Sequence, residues 1–126
     1  MQTEARHVLL IEDEANIAEA IRFVLMRDGW QVTTHGDGHD ALARVREARP
    51  DLVILDVMLP GQSGFDILTA LRADPATVDL PVLMLTAKGQ ARDREAAARA
   101  GASRFMTKPF SNAEMLAEVR ALVGAA

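Results

Sequence analysis

The sequence has no cysteine among its 126 residues. Disulfides are therefore excluded as a source of stability, and nothing in the composition indicates an oxidising compartment. A single domain of this length buries about two-thirds of the surface that its unfolded chain exposes, which is enough for one core without a structural metal. The composition predicts one globular domain that folds by apolar burial alone.

Long apolar runs are also missing. The first apolar run, residues 8–11, spans only four positions and ends at two acidic residues. It is too short for the core of a signal peptide or for a membrane span, which needs about 20 apolar residues. We therefore expect a soluble, cytoplasmic protein without a membrane partner.

The sequence has no surplus of basic residues, since 14 Lys and Arg face 18 Asp and Glu and the net charge is -4. Direct binding of nucleic acid needs basic residues that displace counterions from phosphates, so the charge argues against it. The charge is uneven, because residues 1–87 carry 7 basic and 14 acidic groups, whereas residues 88–126 carry 7 and 4, a net charge of +3. This imbalance fits either an unevenly charged solvated surface or a face that binds an acidic downstream protein.

Strand-like apolar runs alternate with helical patterns five times, which is typical of βα units around a parallel sheet. The third run is apolar without alternation, as expected for a central strand covered on both faces. The helix predicted over residues 90–100 offers mainly alanines to the core and should be loosely held. Ser111 and Glu114 form a capping-box pattern at the start of the last helix. The strands are predicted at residues 7–11, 31–35, 52–56, 81–86 and 104–107.

Polar residues suited to phosphate chemistry follow four of these strands. The carboxyl ends of parallel strands meet at one edge of a sheet, where open α/β folds bind their ligands. We therefore expect three carboxylates, one hydroxyl and one ammonium to lie close together there. In chain order the residues are Glu12, Asp13, Asp56, Thr86 and Lys108.

Each of these residues also has an ordinary interpretation. Glu12 and Asp13 could cap the following helix, and Asp56 could be a loop acid. Together, however, their charges need a cation, and oxygen ligands without His or Cys favour Mg²⁺. Asp56 is then a candidate nucleophile, because carboxylates form aspartyl phosphates.

Thr86 and Lys108 alone are an ordinary strand residue and an ordinary surface cation. Beside the acids they could instead neutralise the oxygens of a transferring phosphoryl group. Pro109 makes the peptide bond after Lys108 a candidate for the cis isomer, which only X-Pro bonds adopt cheaply.

The ordered set resembles the receiver domain of bacterial two-component response regulators over essentially the whole chain. The motifs that carry the resemblance are Glu12-Asp13, Asp56, Thr86-Ala87 and Lys108-Pro109-Phe110. The resemblance implies a single receiver domain over residues 1–126. It also implies a doubly wound, flavodoxin-like (βα)5 fold with strand order 2-1-3-4-5, the order found in the chemotaxis regulator of this family.

The resemblance further implies roles for the residues of this sequence. Asp56 would accept phosphate from a histidine kinase or phosphotransfer protein. Asp13, Asp56 and the backbone carbonyl of Met58 would bind Mg²⁺, and Glu12 would act through water. The protein would assist its own phosphorylation and dephosphorylation without being an enzyme in the usual sense, and it would control a downstream protein through residues 88–126.

A conformational switch is part of what the resemblance implies. Thr86 and Ala87, with Lys108, would bind the phosphoryl group, and the aromatic side chain of Phe105 would move inward behind Thr86. Tyrosine is common at this aromatic position, but Phe105 has no hydroxyl and cannot make the hydrogen bond that a tyrosine would make there. Phe105 could also be a permanently buried core residue.

Two further positions would set the lifetime of the phosphorylated state. In this family the residues that flank the path of the attacking water are two after the phosphoacceptor and two after the threonine, here Met58 and Lys88. Neither side chain accepts a hydrogen bond well from water, so we expect slow self-dephosphorylation.

Two alternatives stay open. One is an aspartate-nucleophile phosphatase of the haloacid dehalogenase type, although Met58 stands where that family has its second acid and no cap domain is evident. The other is a receiver fragment of a larger DNA-binding regulator or hybrid kinase. The expected assembly is a monomer or a weak dimer that forms on phosphorylation.

Overall fold

A computed structural model describes residues 6–87 and 91–123. In this part of the chain, five parallel strands form one sheet in the order β2-β1-β3-β4-β5, and five helices connect and follow them. The strands are β1 (His7–Ile11), β2 (Gln31–His35), β3 (Leu52–Asp56), β4 (Val82–Ala87) and β5 (Arg104–Lys108). The helices are α1 (Ala15–Arg27), α2 (Ala41–Ala48), α3 (Gly64–Ala73), α4 (Ala91–Ala100) and α5 (Asn112–Val123).

The sheet separates two apolar clusters, one on each face. Val8 and Leu10 of β1 contact the cluster that α1 and α5 cover, whereas Leu9 and Ile11 contact the cluster under α2, α3 and α4. All residues of β3 are buried, because this central strand is covered on both faces. Full burial of each Leu or Ile side chain contributes about 1.5–3 kcal/mol, so the two clusters fix the sheet firmly between the helices.

The predicted strand order and doubly wound architecture are confirmed. β4 begins one residue later than predicted, at Val82, and β4 and β5 each continue one residue further, because Ala87 and Lys108 still pair with each other. The capping box is also present: Ser111 Oγ accepts from the Glu114 amide, and Glu114 Oε1 accepts from the Ser111 amide.

Helix α4 has the small apolar surface that its alanines predicted. Ala97 is fully buried, whereas Ala96 and Ala100 are half-buried and Ala98 is exposed. Little apolar area therefore holds this helix to the sheet.

Arg72 of α3 fixes the carboxyl end of α4 by other means. Its guanidinium donates to the carbonyl oxygens of Gly101, at 2.8 Å, and Leu80, at 2.7 Å, and to Ser103 Oγ, at 3.3 Å. These bonds join α3 to the loops that enter β4 and β5. The end of α4 is thus held by a half-buried cation rather than by large apolar side chains.

Two close backbone contacts shape the edge of the sheet where the strands end. A Cβ on Gly38 would lie 2.2 Å from the carbonyl oxygen of Gln62, and one on Gly64 would lie 2.2 Å from the carbonyl oxygen of Asp56. Only glycine allows these approaches. They bring the loops after β2 and β3 together and start α3 directly against the end of β3.

In the described residues, no helix is long and apolar enough to cross a membrane.

Candidate functional site

Three carboxylates meet at the carboxyl ends of β1 and β3. Asp56 is the last residue of β3 and is 4% exposed, Glu12 follows β1 and is 3% exposed, and Asp13 is exposed. One carboxylate oxygen from each residue lies within 4.8 Å of the others. The sequence prediction that these acids converge is therefore matched by the positions of their side chains.

The ammonium of Lys108, at the end of β5, lies among these acids. Its Nζ is 3.0 Å from Glu12 Oε1, 3.2 Å from Asp56 Oδ2 and 3.4 Å from Glu14 Oε1. Burial lowers the pKa of Lys108, but the close pairing with Glu12 and the charge of Asp56 outweigh burial, so the net shift is upward. Lys108 is therefore charged at neutral pH.

Glu12 is the most deeply placed acid. Its Oε2 accepts from the Glu14 amide at 3.0 Å. Its Oε1 is buried without a hydrogen bond, although the Lys108 ammonium is within ion-pair distance. Burial raises the pKa of Glu12, partly offset by the Glu14 amide and by Lys108.

The arrangement suits a divalent cation. One ammonium lies among four carboxylates, those of Glu12, Asp13, Glu14 and Asp56, and the buried Glu12 Oε1 makes an ion pair with it but no hydrogen bond. The potential ligands are all oxygens, which favours Mg²⁺ over softer metals. The residues present therefore fit the ion that the sequence predicted.

Thr86 and Phe105 lie behind the acids on the face of the sheet that α4 covers. Thr86 is fully buried, and its hydroxyl donates to the Met106 carbonyl at 3.5 Å, a long contact directed at β5. Phe105 is half-buried, and the guanidinium of Arg94 in α4 lies 4.6 Å from the centre of its ring. Phe105 is thus neither fully buried nor free in solvent.

An open crevice of about 750 Å³ lies in front of Asp56. Met58 lines it and is 72% exposed, and its other apolar walls include Leu59 and Phe65. A crevice of this size has room for a phosphorylated donor group to approach the carboxylate. The peptide bond between Lys108 and Pro109 beside it is cis, the isomer for which Pro109 was a candidate.

The structure thus brings together Glu12, Asp13, Asp56 and Lys108, with Thr86 and Phe105 behind them. The backbone of Ala87 ends β4 at the same edge, whereas Lys88 lies outside the described residues.

Sequence reasoning overlooked two acids at the site. Glu14 contacts Lys108, and Asp93 of α4 lines the crevice. Glu14 had a visible signal, since it directly follows Glu12 and Asp13. Asp93 had none, because only the packing of α4 on the sheet brings it there.

The chain matches a known sequence family and several solved structures. The family described as "Response regulator receiver domain" matches residues 8–120. Among solved structures, the chemotaxis response regulator CheY4 of Vibrio cholerae superposes with a TM-score of 0.88 at 29% identity, covering 94% of this chain and 99% of that chain.

Curated relatives include two DNA-binding or transcriptional regulators. The DNA-binding response regulator MtrA of Mycobacterium tuberculosis is 43% identical over 121 residues, which are 96% of this chain and 52% of MtrA. The phosphate regulon transcriptional regulatory protein PhoB of Escherichia coli is 42% identical over 119 residues, which are 94% of this chain and 52% of PhoB. This chain therefore spans about half the length of these curated relatives. None of these matches supports the phosphatase alternative.

Proposed function

This chain belongs to the response regulator receiver domain family, and from that premise we propose that Asp56 is its phosphoacceptor. Receiver domains of two-component systems accept phosphate and are not enzymes in the usual sense. What supports Asp56 is its position: it is the buried last residue of the central strand, 3.2 Å from Lys108 and grouped with Glu12 and Asp13. In the described residues this is the one group of acids close enough to hold a metal ion.

The proposed reaction is transfer of a phosphoryl group from a phosphohistidine of the histidine kinase or of a phosphotransfer protein. An oxygen of the Asp56 carboxylate forms a bond to phosphorus, the bond from phosphorus to the imidazole nitrogen breaks, and the imidazole takes the electron pair. Lys108 neutralises charge on the transferring group. The crevice before Asp56 leaves room for the donor ring.

Mg²⁺ is the proposed cofactor. Asp13, Asp56 and the carbonyl of Met58 would hold it, with Glu12 contributing through water. When bound, Mg²⁺ supplies positive charge for the phosphoryl oxygens. The buried Glu12 oxygen without a hydrogen bond supports this site.

The proposed switch begins at Thr86. Its hydroxyl donates to the Met106 carbonyl at 3.5 Å, which is a long and therefore weak hydrogen bond. A phosphoryl group on Asp56 would offer a stronger, charged acceptor, while Lys108 and the Ala87 backbone would bind its other oxygens. Movement of Thr86 toward this group would free space for Phe105 to move inward.

The proposed output surface is formed by α4, β5 and α5, which lie within residues 88–126 and bind a protein with acidic groups. Some of the basic side chains there are already paired, since Arg104 binds Glu118 and Arg120 binds Asp28. Arg92 and Arg99 are exposed on α4 and remain available for a partner. Phosphorylation would then alter the position of α4 and with it this charge pattern.

A second candidate output is control of DNA through a further domain. It is favoured by one observation, namely that MtrA and PhoB are about twice as long as the segment they share with this chain. Reading the complete coding sequence would decide between this output and a single-domain regulator.

The test of Asp56 is phosphorylation by a small phosphodonor with Mg²⁺, followed by intact-mass measurement. Wild type should gain one phosphate, and Asp56→Asn should gain none. Asp66→Asn removes an exposed carboxylate of α3 and serves as the control that keeps full labelling. Undiminished labelling of Asp56→Asn would show that the phosphoacceptor is another residue.

A further inference from the structure

Helix α4 and the aromatic side chain of β5 are joined by one specific contact. The guanidinium of Arg94 lies 4.6 Å from the centre of the Phe105 ring, which is within the range of a cation–π interaction. Arg94 is exposed, so it covers the ring from the solvent side. In the described residues Arg94 has no carboxylate within ion-pair distance.

Phe105 and Thr86 share one face of the sheet. Thr86 pairs in register with Thr107, and Phe105 lies two residues before Thr107 on the same strand. Side chains two residues apart on a strand point to the same face, so the ring and the hydroxyl are neighbours beneath α4. Inward movement of the ring would be movement away from Arg94.

We propose that Arg94 is a positioning residue of the switch, which holds Phe105 in its outward position and so opposes phosphorylation-dependent activation. This inference rests on the proposed function, because it needs Asp56 to be phosphorylated and Phe105 to move inward in response. The sequence alone did not indicate a residue that holds Phe105 in its outward position.

The physical basis is a difference between two states. The cation–π contact exists while the ring is half-buried under Arg94 and is lost when the ring moves inward. It therefore stabilises only the inactive arrangement, and a ligand that favours the active one must work against it. An exposed contact of this kind corresponds to about a two- to fivefold shift in the equilibrium.

The surroundings of α4 make such a weak contact effective. Among the described side chains of this helix, Ala97 alone is fully buried, and Arg72 holds the carboxyl end through the Gly101 carbonyl. With one end fixed and little apolar area along its length, the position of α4 depends on small contacts such as that between Arg94 and Phe105.

The experiment uses beryllofluoride with Mg²⁺, which mimics a phosphoryl group on a carboxylate. Its apparent affinity is measured for wild type, Arg94→Gln, Arg94→Lys and Arg27→Gln. Ring resonances of Phe105, assigned by comparison with Phe105→Leu, report the ring position with and without the mimic. Arg27→Gln is the matched control, because it removes another exposed cation–π contact, that of Arg27 with Phe23 in α1, which lies outside the proposed switch and output surface.

Arg94→Gln should bind the mimic about two- to fivefold more tightly than wild type. Its Phe105 resonances in the free protein should move toward the positions seen in the loaded protein. Arg94→Lys keeps the cation and should lie between the two, whereas Arg27→Gln should match wild type. Because a merely structural contact would change only the free energy of unfolding, urea unfolding of each variant is measured in parallel.

Equal affinity and equal Phe105 resonances in Arg94→Gln and Arg27→Gln would overturn the role of Arg94, as would weaker binding in Arg94→Gln. Failure of the proposed function would look different. In that case wild type would not bind the mimic, or Asp56→Asn would bind it as well as wild type does.

Discussion

Lys108 Nζ lies 3.2 Å from Asp56 Oδ2, so an ammonium from β5 directly neutralises the carboxylate that ends β3. The two strands are separated in the sheet by β4, and the contact passes in front of its carboxyl end. A group added to Asp56 must therefore change the position or partners of Lys108. A chemical change at Asp56 of the central strand can therefore affect the edge strand β5 through Lys108.

Replacing Lys108 with Met should tighten Mg²⁺ binding. Lys108 and Mg²⁺ neutralise the same acids, and removal of the ammonium leaves Glu12 and Asp56 without their cation. We expect a roughly fivefold lower dissociation constant, about 1 kcal/mol, measured by isothermal titration calorimetry. Lys108→Arg keeps a cation and is the control that should bind Mg²⁺ as wild type does. Weaker Mg²⁺ binding in Lys108→Met would contradict competition between the two cations.

Replacing Arg72 with Met should loosen the carboxyl end of α4. The carbonyl oxygens of Gly101 and Leu80 would lose a charged donor in a half-buried place. The free energy of unfolding should fall by about 2–3 kcal/mol, and amide exchange should quicken around residues 97–103. Arg46→Met, which removes an exposed pair with Asp74, is the matched control and should have a small effect. The two measurements are urea unfolding and hydrogen exchange.

The fold and most of the site could be predicted from the sequence because both rest on local patterns. Apolar runs ended by polar residues locate the strands, and a parallel sheet then brings Glu12, Asp56 and Lys108 to one edge. The capping box at Ser111 is equally local, since both of its bonds lie within four residues.

What could not be predicted depends on contacts between distant elements. Glu14 is separated from Lys108 by 94 positions, and the cation–π contact of Arg94 with Phe105 needs the packing of α4 on β5. Charge counting was also incomplete. Residues 88–126 carry a net charge of +3, but Arg104 and Arg120 form ion pairs with acids of the same chain.

The output surface yields a prediction about charge. The double variant Arg92→Glu, Arg99→Glu should bind the downstream partner more weakly and associate more slowly at low salt, while its phosphorylation is unchanged. The double variant Arg22→Glu, Arg44→Glu makes the same change in net charge on α1 and α2. Surface plasmon resonance with the phosphorylated proteins gives the rates. Equal losses in the two double variants would mean that overall charge, not this surface, is responsible.

The pair between Arg120 and Asp28 predicts a pH-dependent stability. The hydrogen bond from Arg120 holds the pKa of Asp28 below its usual range. An acid whose pKa is lower in the folded protein than in the unfolded chain stabilises the fold at any pH above the unfolded pKa, here about 3.9. This stabilisation is lost as the pH falls through the pKa of the folded protein. Arg120→Met should therefore lower Tm slightly at pH 7 and lose this difference below about pH 3.9. Arg22→Met is the control for an exposed, distant pair, and a Tm difference that does not shrink as the pH is lowered below about 3.9 would exclude the ionic origin.

Met58 gives a prediction about the lifetime of the phosphorylated state. Its side chain is 72% exposed in the crevice before Asp56 and cannot orient an attacking water as an amide or carboxylate can. Lys88 was predicted to act with it and lies outside the described residues. Because hydrolysis needs a water held in line with phosphorus, Met58→Gln should shorten the lifetime several-fold.

The measurement follows loss of phosphate from Asp56 under saturating Mg²⁺ in wild type, Met58→Gln and the double variant Met58→Gln, Lys88→Glu. Met58→Leu keeps the apolar side chain and should decay as slowly as wild type, which separates water orientation from crevice volume. The double variant should decay fastest, since it places an acceptor at both positions that flank the water path in this family. If Met58→Leu and Met58→Gln both lose phosphate faster than wild type and at equal rates, side-chain shape rather than hydrogen bonding controls access of water. An unchanged lifetime in both variants would remove Met58 from the hydrolysis step.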